Sequence, residues 1–355
     1  MPIDSLLADF LWSRATRWFT SSGIQEASGG VARHYRADLE KNSPVSTEIT
    51  GYTVSTLLLL GHPEQATAAA RFLTRQAWSN GSMPFEIAPA RFTYFFDCGI
   101  IVRGLLAAWR ASGDAEYLEV AKAIGEVMRT DFVSPNGEYH SVLALPDKTP
   151  VARDSQRWSQ CPGCYQLKAG LAWWELFEAT GEPCFCEAYQ GLLDQSLRSY
   201  GTFLPGHPET PKIVDRLHAF LYFLEGLLPQ AESEPCGIAL CEGIRLVACH
   251  LNRTSHEFER SDVYAQLLRM RIFADALGIV PLDQAAAAQE ASTLAGFQAA
   301  STDKRIDGGF YFGRKQHGWL PFINPVSTAF AVQALALWEQ RPSPSEASPP
   351  WHQLI

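Results

Sequence analysis

Residues 51–76 read GYTVSTLLLLGHPEQATAAARFLTRQ, which is an apolar helical stretch, a turn at Gly61 and a second, amphipathic helical stretch. The pattern returns as GIIVRGLLAAWRASGDAEYLEVAKAIGEVM in residues 99–128 and as GLAWWELFEATGEPCFCEAYQGLLDQSL in residues 170–197. Repeats of this length are typical of helical arrays, because one helical hairpin cannot bury its apolar face without neighbours. The repeat therefore predicts a series of packed helical hairpins.

Apolar residues at helical spacing, with start and stop signals at the ends, predict twelve helices along the chain. They span residues 4–20, 48–60, 63–78, 98–111, 114–130, 162–180, 183–200, 216–228, 236–252, 262–278, 281–299 and 325–340. Alternate helices are apolar almost all round, as helices inside a fold are, and those between them are amphipathic. The predicted inner helices begin near Glu48, Asp97, Cys161, Asp215, Asp262 and Asn324.

Six pairs of inner and outer helices, with no credible run of strands, predict an all-α fold, the (α/α)6 toroid of six helical hairpins. The first helix then closes the ring against the last. An open solenoid needs a polar capping repeat at each end, and the helix over residues 326–338 is too apolar for that role. We expect one domain over residues 1–340 and a disordered tail over residues 341–355, where proline and serine are frequent.

The charge and composition exclude several classes of function. The chain has 29 basic and 38 acidic side chains and a net charge of -9, which argues against nucleic-acid binding. Its apolar runs are shorter than the roughly 20 residues of a membrane span, and its first residues lack a signal pattern. Eight cysteines are too few for a disulfide scaffold, so we expect reduced thiols and a soluble, cytoplasmic protein.

The inner helices of a toroid run parallel, so their N-termini surround one mouth of the central cavity. Carboxylates or carboxamides stand at most of these starts, and His218 lies one turn beyond Asp215. We predict that the catalytic residues are Glu48, Asp97, His218 and Asp262. The structural alternative is helix capping, since Asp and Asn are preferred N-cap residues and Pro often follows; it applies to Asp215, Asp262 and Asn324.

Long connections on the same face, residues 78–96, 131–158, 203–214 and 301–322, are rich in aromatic residues, Gly, His and Arg, as binding loops are. Aromatic faces can stack on sugar rings, and Arg and His can bind anionic groups. The predicted substrate-binding residues are Tyr52, Arg103, Trp158, Tyr165, Asp215, Tyr311, Arg314, His317, Trp319 and Asn324. The alternative for the densest segment, residues 306–325, is a glycine-rich connection whose aromatic residues only stabilise the fold.

The cysteines Cys161 and Cys164, followed by a second pair at 184 and 186, resemble a zinc-binding spacing. A helix of about 16 residues between the pairs would hold them about 24 Å apart, which argues against a four-thiolate site. A mixed site of Cys161, Cys164 and either His140 or His218 stays open. We predict no metal and no cofactor.

Five segments resemble successive inner-helix motifs of bacterial six-hairpin toroid proteins from glycan gene neighbourhoods. They are TEITGYTVSTLLLLG, FFDCGIIVRGLLAAW, LHAFLYFLEGLL, SDVYAQLLRM and GGFYFGRKQHGWLPFINPVSTAFAVQALALW. Those proteins are similar in architecture to the helical domain of D-glucuronyl C5-epimerases, to N-acylglucosamine 2-epimerases and to unsaturated glucuronyl hydrolases. The resemblance covers about residues 30–340.

The resemblance also suggests roles for single residues. Asp97, followed by Gly99, resembles an inner-helix Asp of the hydrolases, and Asp154 is the candidate for their second Asp. His218 could be one of the two proton-transferring histidines of the 2-epimerases, while no second His opens a late inner helix. The residues that resemble the uronate-binding Tyr, Glu and Arg of the C5-epimerases are Glu48, Tyr52, Tyr311 and Arg314.

The leading hypothesis is an enzyme that acts on a sugar or a uronate-containing glycan, either an epimerase or a glycoside hydrolase. We expect the four catalytic candidates to converge on one pocket with Trp319 or Tyr311 at its rim, and Glu225, two turns deeper than His218, to orient the imidazole or to form a buried ion pair. One alternative is a non-catalytic toroid that binds a glycan or a protein. Another is a zinc-dependent toroid enzyme resembling lanthionine cyclases or protein prenyltransferases. Homo-oligomerisation stays open.

Overall fold

A computed structural model describes residues 5–316, 318–341 and 351–355. In these residues it has twelve α-helices, and all twelve predicted helices are confirmed. The helices are α1 (Ser5–Ser21), α2 (Thr47–Leu59), α3 (Pro63–Gln76), α4 (Phe95–Ser112), α5 (Ala115–Thr130), α6 (Leu167–Thr180), α7 (Pro183–Ser199), α8 (Thr210–Gly226), α9 (Glu234–Thr254), α10 (Ser261–Ala276), α11 (Gln284–Ala295) and α12 (Pro325–Glu339). None of the described helices is both long enough and apolar enough to cross a membrane.

The chain forms two compact units, whereas the sequence predicts a single domain up to residue 340. One unit comprises residues 25–33 and 44–201, and it is called the α2–α7 unit here. The other comprises residues 1–24, 34–43 and 202–355, and it is called the α8–α12 unit.

Each unit is built from inner and outer helices. In the α2–α7 unit, α4 packs between α2 and α6, and the outer helices α3, α5 and α7 each pack on the helix before them. In the α8–α12 unit, α10 packs between α8 and α12, and the outer helices are α9, α11 and α1. The inner helices are buried nearly all round, because their sequences are apolar on every face.

Glycines allow the inner helices of the α2–α7 unit to approach closely. A Cβ atom at Gly104 of α4 would lie 2.5 Å from the carbonyl oxygen of Gly51 in α2. A Cβ atom at Gly99, one turn earlier, would lie 2.5 Å from Cα of Ala169 in α6. Both distances are shorter than any real carbon contact, so α2, α4 and α6 pack backbone against backbone at these points.

In the described residues, eleven short strands occupy the connections, although the sequence indicates no credible run of strands. In the α2–α7 unit they are β1 (Val31–Ala32), β4 (Val45–Ser46), β5 (Phe92–Tyr94), β6 (Val142–Ala144) and β7 (Thr149–Pro150). In the α8–α12 unit they are β2 (Tyr35–Arg36), β3 (Lys41–Asn42), β8 (Phe258–Arg260), β9 (Gly313–Lys315), β10 (Gly318–Trp319) and β11 (Phe322–Ile323). Strands of two or three residues are too short to show a period of two, which explains why they are missed.

The strands position the first turns of the inner helices. β4 leads into α2, β5 into α4 and β8 into α10 without a gap, and β11 is separated from α12 by one residue. All pairings are antiparallel: β1 with β4, β6 with β5 and β7, β9 with β8 and β10, and β2 with β3 and β11. An extended residue therefore precedes each of these helices and fixes the direction of its first side chains.

The disorder predicted for the tail is wrong for residues 351–355. Trp351–Gln353 form a 3-10 turn, and Leu354 and Ile355 are each only 2% exposed. The frequent proline and serine of the tail predict disorder, but two consecutive apolar side chains at 354 and 355 are buried in the fold. Residues 342–350 lie outside the described part of the chain.

Candidate functional site

Glu48 occupies the first turn of α2, where its carboxylate is not needed as a cap. Ser46, at the end of β4, is the N-cap, and its hydroxyl accepts a hydrogen bond from the Ile49 amide at 3.4 Å. The neighbouring Thr47 donates its hydroxyl to the carbonyl oxygen of Pro84 at 2.8 Å. The first turn of α2 is thus held by its neighbours, and the partly buried Glu48 is left for another role.

Asp97 occupies the first turn of α4, and it too is not used as a cap. The helix follows Tyr94 of β5, and no side chain caps it. Asp97 is only 7% exposed, and its Oδ2 atom is buried and has no hydrogen-bond partner among the described residues. A buried polar atom without a partner costs about 1–3 kcal/mol of stability, and such atoms are rare in native proteins.

Glu48 and Asp97, here called the acidic pair, perturb each other's ionisation. Burial raises the pKa of Glu48 to about 7, while the positive charge of Arg33 opposes the shift. Burial also raises the pKa of Asp97 well above its ordinary value, and the negative charge of Glu48 raises it further. Two such carboxyls ionise in coupled steps, so the pair holds a proton near neutral pH.

Arg33 is the residue of this site that the sequence does not reveal. It follows β1, its side chain is exposed, and its guanidinium lies 5.3 Å from the centre of the Phe85 ring. Its charge lowers the pKa of both carboxyls. A single Arg in a turn belongs to no motif or spacing, so only the folded chain shows that it accompanies the acidic pair.

His218 lies in the middle of α8, because this helix begins at Thr210 and not near residue 216 as predicted. Its Nδ1 lies 2.7 Å from Oε1 of Gln266, and Nε2 of Gln266 donates to the Glu225 carboxylate at 3.3 Å. Since the amide nitrogen of Gln266 faces a carboxylate, its oxygen faces the imidazole, and Nδ1 is assigned as the donor. Burial lowers the pKa of His218, although Asp262 opposes the shift, and this favours the neutral ring.

Asp262 is held by Arg260, which the sequence analysis missed. The guanidinium donates to both carboxylate oxygens, from Nε at 2.9 Å and from Nη2 at 2.6 Å. Burial alone would raise the pKa of Asp262, but Arg260 and His218 lower it below its ordinary value. Asp262 is therefore ionised, and Nδ1 of His218 lies 3.6 Å from its Oδ2. The geometry favours a positioning role over the predicted acid–base role. Together, His218, Gln266, Asp262 and Arg260 are called the His218 network.

Asp215 does not start a helix, so the capping alternative to its predicted binding role is wrong. It lies within α8 and accepts a hydrogen bond from Nη1 of Arg260 at 2.6 Å. Asn324 does serve as a cap: its Oδ1 accepts from the amides of Val326 at 2.8 Å and Ser327 at 3.2 Å. The capping alternative thus describes Asn324 and not Asp215.

Three predicted binding residues, Tyr311, Arg314 and Trp319, lie in or just before the β9 and β10 strands of the α8–α12 unit. The Trp319 ring is stacked on Tyr311 at 4.9 Å and 16°, and Trp319 is 42% exposed. Arg314 lies 5.6 Å from the Trp319 ring centre and is ion-paired with Glu259. This arrangement presents an aromatic face that a sugar ring can stack on. His317 lies outside the described residues.

The remaining predicted binding residues have structural roles or are buried. Arg103 is 7% exposed and forms an ion pair with Glu175 at 2.6 Å, so the structure gives it a structural role instead of the predicted one. Tyr165 is 1% exposed and donates its hydroxyl to the carbonyl oxygen of Cys161 at 2.9 Å. Trp158 packs edge-on against Tyr165 at 4.9 Å, and Tyr52 is 3% exposed inside α2. Ring packing and hydrogen bonding thus occupy Trp158 and Tyr165, and Tyr52 is buried.

The cysteine pair does not form the mixed metal site that the sequence leaves open. In the described part of the chain, three potential metal-binding atoms come within 4.8 Å of one another only at Glu126, Glu182 and Cys184. Both carboxylates there are already paired, Glu126 with Arg129 and Glu182 with Lys122. Asp154, the candidate second Asp of a hydrolase, is only partly exposed and lies 3.5 Å from Arg157.

No family model matches the chain, and no curated protein matches its sequence. Several solved structures match its fold. Cellobiose 2-epimerase from Spirochaeta thermophila has a TM-score of 0.69 at 15% identity, over 94% of this chain and 96% of its own. A sugar epimerase from a ruminal bacterium has a TM-score of 0.70 at 12% identity, over 96% of this chain and 99% of its own.

A hydrolase structure matches as well. A variant of unsaturated glucuronyl hydrolase from Streptococcus agalactiae has a TM-score of 0.60 at 10% identity, over 94% of this chain and 91% of its own. At these identities the likeness concerns the fold. The chain therefore has the α/α-toroid fold that its repeated hairpins predict, and it is similar in fold to sugar epimerases and a glucuronyl hydrolase.

Proposed function

We propose that this chain is an enzyme that epimerises or hydrolyses a sugar or a uronate-containing glycan, with the acidic pair as its acid–base machinery. The observation that carries the proposal is the buried, unpartnered Oδ2 of Asp97 beside a second carboxyl whose pKa is raised to about 7. A stable fold gains nothing from such a pair, whereas acid–base catalysis at neutral pH is served by groups whose pKa lies near 7.

The shared proton supplies an acid and a base at the same time. In epimerisation, the ionised carboxyl removes a proton from the carbon beside a carbonyl or carboxyl group, and a proton is then returned to the opposite face. In hydrolysis, the neutral carboxyl protonates the glycosidic oxygen while the ionised one removes a proton from the attacking water. Either reaction needs two carboxyls with different protonation states at one pH.

Arg33 supports an acidic sugar as the substrate. An exposed guanidinium beside the acidic pair can form a bidentate contact with the carboxylate of a uronate. The same positive charge would stabilise the negative charge that develops when a proton is removed beside that carboxylate. A uronate-containing glycan is thus the substrate class that this end of α2 and α4 suits.

The test is turnover of neutral and uronate-containing sugars by the purified protein in D2O and in H2(18)O. An epimerase introduces deuterium at one carbon, and a hydrolase introduces 18O at a released reducing end. We expect Glu48→Gln and Asp97→Asn each to lower kcat by at least about 100-fold, as loss of an acid–base group does. Glu64→Gln is the matched control, because Glu64 is an exposed carboxylate at the same position of the outer helix α3.

Two outcomes would overturn the proposal. Unchanged turnover in both variants of the acidic pair would remove its assigned role. Tight sugar binding without any turnover, unaffected by both substitutions, would support the non-catalytic toroid instead. We also propose a cytoplasmic location, in keeping with the low cysteine content; homo-oligomerisation stays a prediction.

A further inference from the structure

A continuous chain of buried polar groups in the α8–α12 unit connects His218 with residues 351–355. It starts at the hydrogen bond from His218 to Gln266 and continues to Glu225 through the Gln266 amide. Arg269 of α10, which like Glu225 is 0% exposed, forms an ion pair with this carboxylate. The proposed function uses none of Gln266, Glu225 and Arg269.

Residues 351–355 form the end of this series of polar groups that is farthest from His218. Nη1 of Arg269 donates to Oε1 of Gln333 at 2.8 Å and to the carbonyl oxygen of Ile355 at 3.2 Å. The amide of Ile355 donates to the same Gln333 oxygen at 3.1 Å, and Nε2 of Gln333 donates to the carbonyl oxygen of Gln353 at 2.6 Å. The segment therefore binds α10 and α12 through its main chain.

Packing adds to these hydrogen bonds. The guanidinium of Arg269 lies 4.2 Å from the centre of the Phe330 ring of α12, and Leu354 and Ile355 are almost completely buried. In a buried site of low dielectric constant, each hydrogen bond is stronger when the groups next to it are also hydrogen-bonded. Loss of the segment would remove two acceptors and one donor from Arg269 and Gln333 and would let water reach them.

We propose that residues 351–355 are a positioning segment for His218: by holding Gln333 and Arg269 they fix Glu225 and Gln266, and these in turn fix the tautomer and orientation of the imidazole. The segment is thereby a conformational device, since its release would make the orientation of the His218 imidazole less fixed. The inference does not rest on the proposed function, which assigns its chemistry to the acidic pair; the catalytic use of His218 stays a prediction from the sequence, and the coupling itself is a property of the fold.

The charged groups around His218 determine the sign of the expected effect. Asp262 and Glu225 raise its pKa, Arg260 lowers it, and burial lowers it most. Tyr222, whose ring centre lies 4.4 Å from the imidazole, packs against it. Release of the segment admits water and leaves Glu225 less well neutralised by Arg269, and both changes favour the imidazolium. The pKa of His218 is therefore expected to rise.

The experiment is an NMR titration of the His218 ring, assigned with His218→Gln, in the full chain, in Gln333→Met and in a chain that ends at residue 350. Gln333→Met keeps the volume of the side chain but removes its hydrogen bonds to Arg269, Ile355 and Gln353. Gln353→Ala is the matched control, because the exposed side chain is lost while the main-chain acceptor stays. Circular dichroism and thermal unfolding identify any variant that does not fold.

We expect the pKa of His218 to rise by about half a unit or more in Gln333→Met and in the shortened chain, and to stay unchanged in Gln353→Ala. An unchanged titration in folded Gln333→Met overturns the inference, whatever the shortened chain does. The readout is independent of sugar turnover. If the full chain turns over no sugar but the pKa of His218 shifts in Gln333→Met, the proposed function is contradicted and the coupling is supported. If the full chain turns over sugar and the pKa of His218 does not shift in Gln333→Met, the coupling is contradicted and the proposed function is supported.

Discussion

Asp97 and Arg103 lie two turns apart on α4 and show how differently buried charges are treated in this chain. Arg103 is matched by Glu175, which Arg110 also contacts. Asp97 has a buried oxygen with no partner and a neighbouring carboxyl that repels its charge. A fold tolerates a buried charge that has a partner, whereas a buried charge without a partner destabilises the fold unless the group is neutral. The contrast therefore separates the structural residue from the candidate catalytic one.

The acidic pair can be predicted from the sequence, whereas its surroundings cannot. Glu48 stands out because a neighbouring residue can cap α2, and Asp97 because small residues follow a run of aromatic ones. Arg33 follows β1 and Arg260 ends β8, and neither belongs to a motif. Their roles depend on contacts with residues that are distant in sequence or outside any helical spacing. Burial and hydrogen-bond partners decide such roles, and neither can be read from residue types.

Arg33 gives a prediction about substrate charge. Arg33→Gln is expected to raise KM for a uronate substrate by about 10- to 100-fold, the range for loss of a charge-assisted hydrogen bond, and to change KM for a neutral analogue far less. Steady-state kinetics with both sugars provide the measurement. Arg71→Gln, at an exposed position of the outer helix α3, is the control. An equal rise in KM for both sugars would show that Arg33 does not bind the substrate's carboxylate.

At the scale of elements, the short strands explain why helix starts carry the site. Each of β4, β5 and β8 ends at the residue before an inner helix, and the extended backbone there turns directly into the first helical turn. The helices themselves follow from apolar periodicity, so their number and order are predictable. The strands depend on pairing between distant connections, which no local pattern reveals.

The close approach of α2 and α4 gives a prediction about stability. Gly104→Ala is expected to destabilise the fold by about 1–3 kcal/mol, because the added Cβ would overlap the main chain of Gly51 and force the helices apart. Gly191→Ala is the matched control, since nothing lies within 4 Å of a Cβ atom at this position of α7. It is expected to stabilise the fold by up to about 1 kcal/mol through helix propensity.

Urea unfolding of the three proteins, followed by circular dichroism, provides the measurement. Similar stability of Gly104→Ala and the parent chain would show that α2 and α4 do not pack backbone against backbone. Because Gly104 lies on the same helix as Asp97, a loosened contact is also expected to lower activity in parallel with stability.

At the scale of the whole molecule, the α/α toroid follows from repetition, since the same hairpin pattern recurs along the chain. The tail shows the limit of such arguments, because composition predicts disorder where residues 351–355 are buried. The expectation that the acidic pair and the His218 network share one pocket stays a prediction, as does the identity of the sugar. Local sequence patterns reveal neither the shared pocket nor the sugar, because both depend on groups that only the tertiary structure brings together.

The most direct test of the central claim is infrared spectroscopy of the whole protein labelled with 13C at its Asp and Glu carboxyls. Spectra are recorded between pH 5 and 9 for the parent chain, Asp97→Asn, Glu290→Gln and Glu64→Gln. Glu290 is included because burial raises its pKa to about 7 as well. We predict a protonated-carboxyl band in the parent chain at pH 6 that fades as pH rises through about 7, as the pKa of Glu48 requires. This band should be smaller in Asp97→Asn by more than the loss seen in the exposed-carboxylate control Glu64→Gln. Identical bands in the parent chain and in Asp97→Asn would contradict the claim that the acidic pair holds a proton at neutral pH.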